Sequence, residues 1–544
     1  MSTNEEKGIS RRNFLRKASQ VTVGGLAVGV LAQCAPKAPV ATPAPAPTCA
    51  PCPPAPECPT PAPLTILPEK WDKEADLVIV GFGGAGAAAA IEAAKAGAKV
   101  TILERMKAGG GSTAICGGII YMGGGTPLQK ACGFNDTRDD MFNYLVKAIG
   151  EGADEEKIGI LCDKSLELYD WLDGIGLKFK QTYLPGKFAA PPTDDGLVYS
   201  GNESVAEFKA IAADVPRGHH APAAGSSGAE IFKPLRAATE AAGVDISYES
   251  LAKQLIVDLD GRVCGVVAEV GGVDQVIKAK RAVVLTAGTY HANQDMVRQY
   301  APAWSNSDKY VGTPGDDGSG IRMGQSVGAD LDHIGAVTGF GGVYLFSQEF
   351  LKGILVNDAG RRYIGEDGYG SRVGVRVVER FPNSFIVGDN KSWQGVPDQV
   401  KEMLKPFTFT SDTIAGLAEA AQLPAVPFEG TIRDYNVMVA NGVDIEFQKA
   451  PEYLVSIDEG PFYAISWGSW IVTRQALGGL KVNKDCQVLD TKGEPIKGLY
   501  SAGANTSGVI SRYYPGSGTA VAQALTFGRI AGVNSAAELA WDAA

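Results

Sequence analysis

The stretch that most restricts what this chain can become runs from Asp76 to Glu104. Leu77 to Val80 form an apolar run that opens into Gly81-Phe-Gly83-Gly84-Ala85-Gly86, and an alanine-rich segment then leads to Lys99-Val-Thr-Ile-Leu-Glu104. That order predicts strand, tight turn, helix, strand. Gly81 permits the sharp turn, Gly83, with Gly84 and Ala85 beside it, lets a pyrophosphate approach the backbone, and Gly86 lets the helix pack closely on the sheet. The helix start offers N–H groups and a partial positive charge to the phosphates. Glu104, eighteen residues after Gly86, can accept both hydroxyls of a ribose, and Arg105 follows it as a further contact.

The segment after Glu104 holds eight glycines among the seventeen residues from Gly109 to Gly125. Side chains would hold a flat ligand away, so this density predicts a backbone wrapped against one, with Gly111, Ser112, Thr113, Gly117 and Gly118 in contact. A flavin fits that description better than a mobile nicotinamide. Ala282 to Gly288 reads as an apolar strand running under a nucleotide, which places Ala287 and Gly288 at the cofactor. Thr313 to Gly324 is a loop opening a helix, with Asp317 as its candidate contact. Near the C-terminus, Gly498 to Gly503 and Tyr514-Pro-Gly516-Ser517-Gly518-Thr519-Ala520 read as strand ends and a helix start returning to the nucleotide. Gly503, Gly518, Thr519 and Ala520 are the contacts expected there.

These pieces predict an α/β protein: a Rossmann-like FAD-binding domain in two parts, residues 71–334 and 461–544, with an inserted α+β cap over 335–460. The cap stretch lacks a glycine triplet and mixes aromatic, charged and helical segments.

The formal charge is −11, and because residues 1–32 hold five basic and two acidic residues, the remainder carries −14. Such a protein has no electrostatic basis for binding nucleic acid or an anionic membrane. Ser10-Arg11-Arg12-Asn-Phe14-Leu15-Arg16 resembles a twin-arginine export signal, and Val21 to Ala32 is an apolar stretch too short to span a membrane. Residues 1–32 are therefore expected to be a signal peptide, placing the protein in the periplasm or on the outer face of the cytoplasmic membrane. Cleavage can follow Ala32, or Leu31-Ala-Gln-Cys34 can act as a lipoprotein box with Cys34 lipidated, although Gln33 departs from the usual small residue. Residues 33–70 are rich in proline and alanine and read as an extended tether. Its Cys49, Cys52 and Cys58 are exposed thiols or disulfides, with no histidine after Cys52 to make a c-type haem site. The remaining cysteines read as small core residues. His219 and His220 are adjacent on a loop, with no acidic or histidine partner nearby in sequence, so no metal is expected.

Assembled in this order, the chain resembles the superfamily of FAD-dependent fumarate reductases and 3-ketosteroid dehydrogenases from about residue 75 to the end. The fumarate-type pattern has a histidine-rich segment before a Gly-Gly pair and a carboxylate-gripping arginine near the C-terminus. Here Arg474-Gln475-Ala-Leu-Gly478-Gly479 and Tyr514 stand at those places. Tyr514-Pro-Gly-Ser-Gly518 instead resembles the ketosteroid dehydrogenase motif, and the resemblance implies that the Tyr514 hydroxyl and the Gly518 N–H hold a ketone oxygen.

A hydroxyl and an N–H converging on one carbonyl stabilise the enolate that forms as hydride moves to or from the β-carbon. A second group must move the α-proton. Tyr369, in Glu366-Asp367-Gly-Tyr369, is the first choice, with Arg372 lowering its pKa; Tyr121, Tyr183 and Tyr463 are rivals. The expected substrate is an enone, a ketosteroid or an unsaturated acid, the last requiring an arginine such as Arg372 or Arg376. The direction of reaction stays open, and a separate electron partner, cytochrome- or quinone-linked, is implied. A noncatalytic flavin carrier is the alternative from another class.

Overall fold

The computed structural model describes residues 67–306, 309–341, 346–468 and 472–541. The signal segment, nearly all of the tether, and Cys34, Cys49, Cys52 and Cys58 lie outside the described residues.

The main sheet is built on the strand Lys73–Val80, flanked in parallel by Val273–Leu285 on one side and Val100–Leu103 on the other. Pro495–Ser501 extends it in parallel beyond Val273–Leu285, with Gln487–Leu489 antiparallel at that edge, and Asp245–Ser247 closes the other edge in parallel. Leu77, Val78 and Ile79 are fully buried. A parallel strand covered on both faces needs such a continuous apolar run. The first half of the long strand Val273–Leu285 also pairs antiparallel with Val263–Val270, which pairs with Ser250–Val257, so a three-stranded meander grows from the same strand.

The helix Gly84–Lys95 forms because seven of its twelve residues are alanine, the strongest helix former. Its small side chains leave room for the nineteen-residue helix Thr519–Ala537 to lie against it. A Cβ on Gly528 would come within 2.6 Å of the Ala85 carbonyl oxygen, and one on Gly532 within 2.2 Å of that of Ala89. The C-terminal helix is thus seated backbone to backbone on the helix that starts the nucleotide fold.

The chain leaves this domain through Val337–Phe340 and returns through Thr473–Ala476, which pair with each other. Between them stands a four-stranded antiparallel sheet in the order Ile354–Asn357, Ser384–Gly388, Phe462–Ser466, Thr408–Ser411, carrying helices such as Gly370–Glu379 and Ala425–Ala440. Phe462–Ser466 is an inner strand of that sheet, so the insertion runs past residue 460. Its interior holds a buried charge network in which Arg362 pairs with Glu366 and Asp444 at 2.7 Å each, and Lys449 lies 3.4 Å from Glu366. Glu366 is accordingly a structural member of the cap. Burial opposes its charge, but Arg362 and Lys449 prevail and hold its carboxyl below the usual range.

A second small sheet, Ile119–Tyr121, Gly218–His220, Leu197–Tyr199 and Tyr183–Lys187, follows the glycine-rich loop. It includes the paired histidines, whose rings bind Thr126 Oγ1 at 2.8 Å for His219 and Ser227 Oγ at 2.9 Å for His220. Among the described residues no helix is long and apolar enough to cross a membrane.

Candidate active site

A cavity of about 1440 Å³ opens at the carboxyl ends of the parallel strands and extends beneath the cap. Single small-molecule pockets are typically about 300–1,000 Å³, so this one has room for a cofactor and a second molecule. Gly81, Gly83, Gly84 and Ala85 line one end with Glu104 and Arg105, and Gly111, Ser112, Thr113 and Gly117 line the wall beside them. Ala287, Gly288, Gly503, Gly518 and Ala520 complete that part. Gly86 and Gly118 stand behind the lining, packed on Gly81 and on Ser227. Thr519 is also behind it, its hydroxyl donating to the Gly516 carbonyl at 2.9 Å.

The nucleotide end fits FAD on the donors it presents. The helix Gly84–Lys95 starts at Gly83 with no side-chain cap, so its first-turn N–H groups are left for a phosphate, except that the Gly84 N–H reaches Thr113 Oγ1 at 3.1 Å. Glu104 is held by the N–H groups of Phe82 and Met106, each at 2.8 Å and each on a different carboxylate oxygen. Each oxygen keeps a further lone pair for a ribose hydroxyl.

The acid that faces the cavity from the 313–324 loop is Asp316, where the sequence suggested Asp317. Asp316 accepts from the Ser112 hydroxyl at 2.5 Å and from the N–H groups of Thr313 at 2.9 Å and Thr289 at 3.1 Å. It therefore ties together three loops that reach the cofactor region. Burial opposes its charge, but the facing His291 ring and these donors hold its carboxyl below the usual range. Asp317 pairs with Arg105 at 2.6 Å and is half-exposed. His291 also lines the cavity, with Nε2 3.6 Å from Asp316 and no hydrogen-bond partner on either ring nitrogen. Nothing in the sequence around His291 separated it from an ordinary core residue.

At the other end Tyr514, Ser517, Gly518 and Phe340 line the cavity, together with Phe188, Ala190, Pro192, Phe346 and Pro397. The Tyr514 hydroxyl accepts from the Ala520 N–H at 3.1 Å, at the uncapped start of the helix Thr519–Ala537. Gly518 has φ +94 and a Cβ there would come within 2.7 Å of the Tyr121 nitrogen, so only glycine fits at this point of the lining. Burial pushes the Tyr514 hydroxyl well above its usual pKa, which keeps it a proton donor.

Tyr369 is carried by the cap as the residue preceding the helix Gly370–Glu379. Its hydroxyl lies 2.8 Å from Ser517 Oγ, and its ring stacks on that of Tyr514 with centroids 6.3 Å apart. Phe340 meets both rings edge-on. The structure thus brings Tyr369 and Tyr514 together, and adds Ser517, which sits inside the quoted motif but was given no role from sequence.

Other candidates are placed elsewhere. Arg372 turns to Glu207 and stands over the Phe208 ring, away from the Tyr369 hydroxyl, so it cannot lower that hydroxyl's pKa by contact. Neither Arg372 nor Arg376 lines the cavity. Tyr121 is buried against Tyr144, Tyr183 packs on Phe134 and Tyr199, and Tyr463 stacks on Trp393 at 4.5 Å. Of the described residues, Arg105 is the one arginine in the lining. Lys187 also lines it, its ammonium donating to the Asp367 carbonyl. Cys116 lines it as well, its thiol pushed up to about 11 by burial and so held protonated.

Residues 76–521 match the family of FAD binding domains. Among solved structures, a 3-ketosteroid-delta4-(5alpha)-dehydrogenase from Rhodococcus jostii RHA1, in complex with 4-androstene-3,17-dione, is 37% identical and superposes with a TM-score of 0.82 over 88% of this chain and 100% of that one. A 3-oxo-5-alpha-steroid 4-dehydrogenase from Comamonas testosteroni is 28% identical over 80% of this chain and 93% of its own length. A probable fumarate reductase from Shewanella frigidimarina is also 28% identical, over 85% of this chain and 74% of its own.

Proposed function

Because the chain belongs to the family of FAD binding domains and is an FAD-dependent oxidoreductase acting on CH–CH bonds, we propose that its substrate is a bulky apolar molecule with a C=C or CH–CH bond next to a ketone. One observation carries this reading: the substrate end of the cavity presents the uncharged donors of Tyr514 and Gly518 among aromatic and aliphatic side chains, and the one lining arginine among the described residues is bound to Asp317 at the nucleotide end.

Bound FAD supplies or accepts the hydride. The Tyr514 hydroxyl and the Gly518 N–H hold the ketone oxygen and stabilise the negative charge that gathers there. The start of the helix Thr519–Ala537 adds its partial positive charge at the same point. Ser517 Oγ, which lines the cavity, moves the proton at the neighbouring carbon, and the Tyr369 hydroxyl in contact behind it passes the proton on. Phe340 packs edge-on against both tyrosine rings and makes this end of the cavity apolar.

Lys187 favours a second reading, an unsaturated carboxylate held by its ammonium. Burial lowers the pKa of that ammonium, while acidic neighbours led by Asp367 oppose the effect. The twin-arginine resemblance of residues 10–16 supports export, and an export route in turn supports a separate cytochrome- or quinone-linked electron donor.

Anaerobic reoxidation of the photoreduced protein by a panel of enones, 3-oxosteroids and fumarate-like acids tests the proposal. The expected result is fast reoxidation by ketones. Reoxidation by the acids alone would favour the Lys187 reading.

A further inference from the structure

The segment Ser200–Glu203 lies outside the cavity lining, yet it grips both halves of the site. The Ser517 N–H donates to the Ser200 carbonyl at 2.7 Å, and Gly201 bridges to Gly516 in antiparallel fashion. The Asn202 side-chain oxygen accepts from the Tyr369 N–H at 2.7 Å. That N–H precedes a helix and has no helical partner to bond, so the side chain of Asn202 supplies the acceptor. The Asn202 N–H in turn donates to the Tyr144 hydroxyl at 2.7 Å, and the same hydroxyl donates to the Pro515 carbonyl at 2.6 Å. Tyr144 is fully buried, and burial pushes its hydroxyl well above its ordinary pKa, so it remains a donor. A Cβ on Gly201 would come within 2.3 Å of the Tyr144 oxygen and 2.6 Å of the Pro515 oxygen, so only glycine admits this packing.

The chain of bonds is therefore closed. Pro515 and Ser517 belong to the loop that carries Tyr514, Tyr369 belongs to the cap, and one short segment holds both. Through Tyr144 and Asn202 the position of the Tyr369 hydroxyl is referred to the loop on which Ser517 stands, independently of the bond between Tyr369 and Ser517 themselves.

We propose that Asn202 and Tyr144 are positioning residues that set the contact between Tyr369 of the cap and Ser517 of the nucleotide domain. They touch neither substrate nor cofactor. The kinetic consequence rests on the ketone reading above, whereas the geometric one does not.

The test uses the FAD-loaded protein with Asn202→Leu, which removes the acceptor, Asn202→Asp, which keeps one, and Tyr144→Phe, which removes a single oxygen and leaves the ring packing. Flavin absorbance and the rate of flavin reduction by dithionite should match wild type in all three. Reoxidation by an enone should fall roughly a hundredfold in the Leu and Phe variants, as expected for a misplaced reacting group. KM should stay within about twofold, since ketone binding by Tyr514 is not touched. The Asp variant should recover most of the rate. Crystal structures of the Leu and Phe variants should show the Tyr369 hydroxyl withdrawn from Ser517. The proposal is overturned if that contact stays at its wild-type 2.8 Å in both variants, or if the rate loss appears as loss of FAD together with a rise in KM. Should wild-type protein be reoxidised by no ketone, the functional reading fails and the crystal structures still decide the positioning role.

Discussion

The Tyr369 hydroxyl stands 2.8 Å from Ser517 Oγ, joining residues 148 positions apart and two separate folding units. Under the proposed function the pair works as a relay whose members depend on each other. Tyr369→Phe and Ser517→Ala should each lower the rate of reoxidation by a ketone by roughly a hundredfold or more, the usual scale for losing a positioned acid or base. The double variant should lose little beyond either single one, because the two act as a unit. Stopped-flow measurement of flavin absorbance checks both statements, and additive losses would show that the two hydroxyls act separately.

In the proposed function Tyr514 serves the opposite side of the reaction, holding the oxygen on which charge collects. Tyr514→Phe should keep FAD bound, since the hydroxyl bonds to backbone N–H groups of the chain itself, those of Ala520 and Gly518. Turnover with ketones should fall roughly a hundredfold or more. A flavin spectrum and a turnover assay on the same sample suffice, and unchanged turnover removes Tyr514 from the mechanism.

These two contacts also mark how far the sequence can be read. The strand, glycine turn, helix and Glu104 were readable because each depends on neighbours within about thirty residues. Tyr514 was readable as part of a compact motif. Ser517 lay in that motif without a role, because its partner arrives from the cap. Asp316 and Asp317 are adjacent acids in a turn, and which one faces inward depends on backbone angles around Gly318, whose φ is +81. Arg372 follows Tyr369 closely, but the intervening start of the helix Gly370–Glu379 sends its side chain to Glu207. Ser200–Glu203 sits in a stretch rich in proline and glycine that reads only as loop.

Gly532 offers a test of the seating of the C-terminal helix. A Cβ there would come within 2.2 Å of the Ala89 carbonyl oxygen, a contact that no side-chain rotation relieves. Gly532→Ala should therefore destabilise by about 1–3 kcal/mol, the range for overpacking a tight interior. The helix-propensity gain of Ala over Gly, about 1 kcal/mol, offsets only part of the clash. Thermal melts of the FAD-free protein would show a lowered midpoint, and a raised one would mean that the helices separate without cost.

The acid limb of stability should carry the signature of His219. Its ring is fully buried, and burial lowers its pKa from 6.5 to about 4, partly offset by its bond to the Arg217 carbonyl. The folded protein thus keeps the ring neutral where the unfolded chain would protonate it. Stability from this group is complete above pH 6.5 and is lost as the pH falls toward 4. The loss amounts to about 3 kcal/mol over that interval, at about 1.4 kcal/mol per pKa unit. Asp316 adds to the fall at still lower pH, because its depressed carboxyl loses its contribution only as the pH drops below its unfolded value of about 4. Denaturant titrations of wild type and His219→Gln between pH 7 and pH 4 separate the two groups: the difference in stability between the proteins should shift in favour of the variant by up to that amount. A difference that stays constant across the interval would mean that the ring is protonated in the folded state as readily as in the unfolded one.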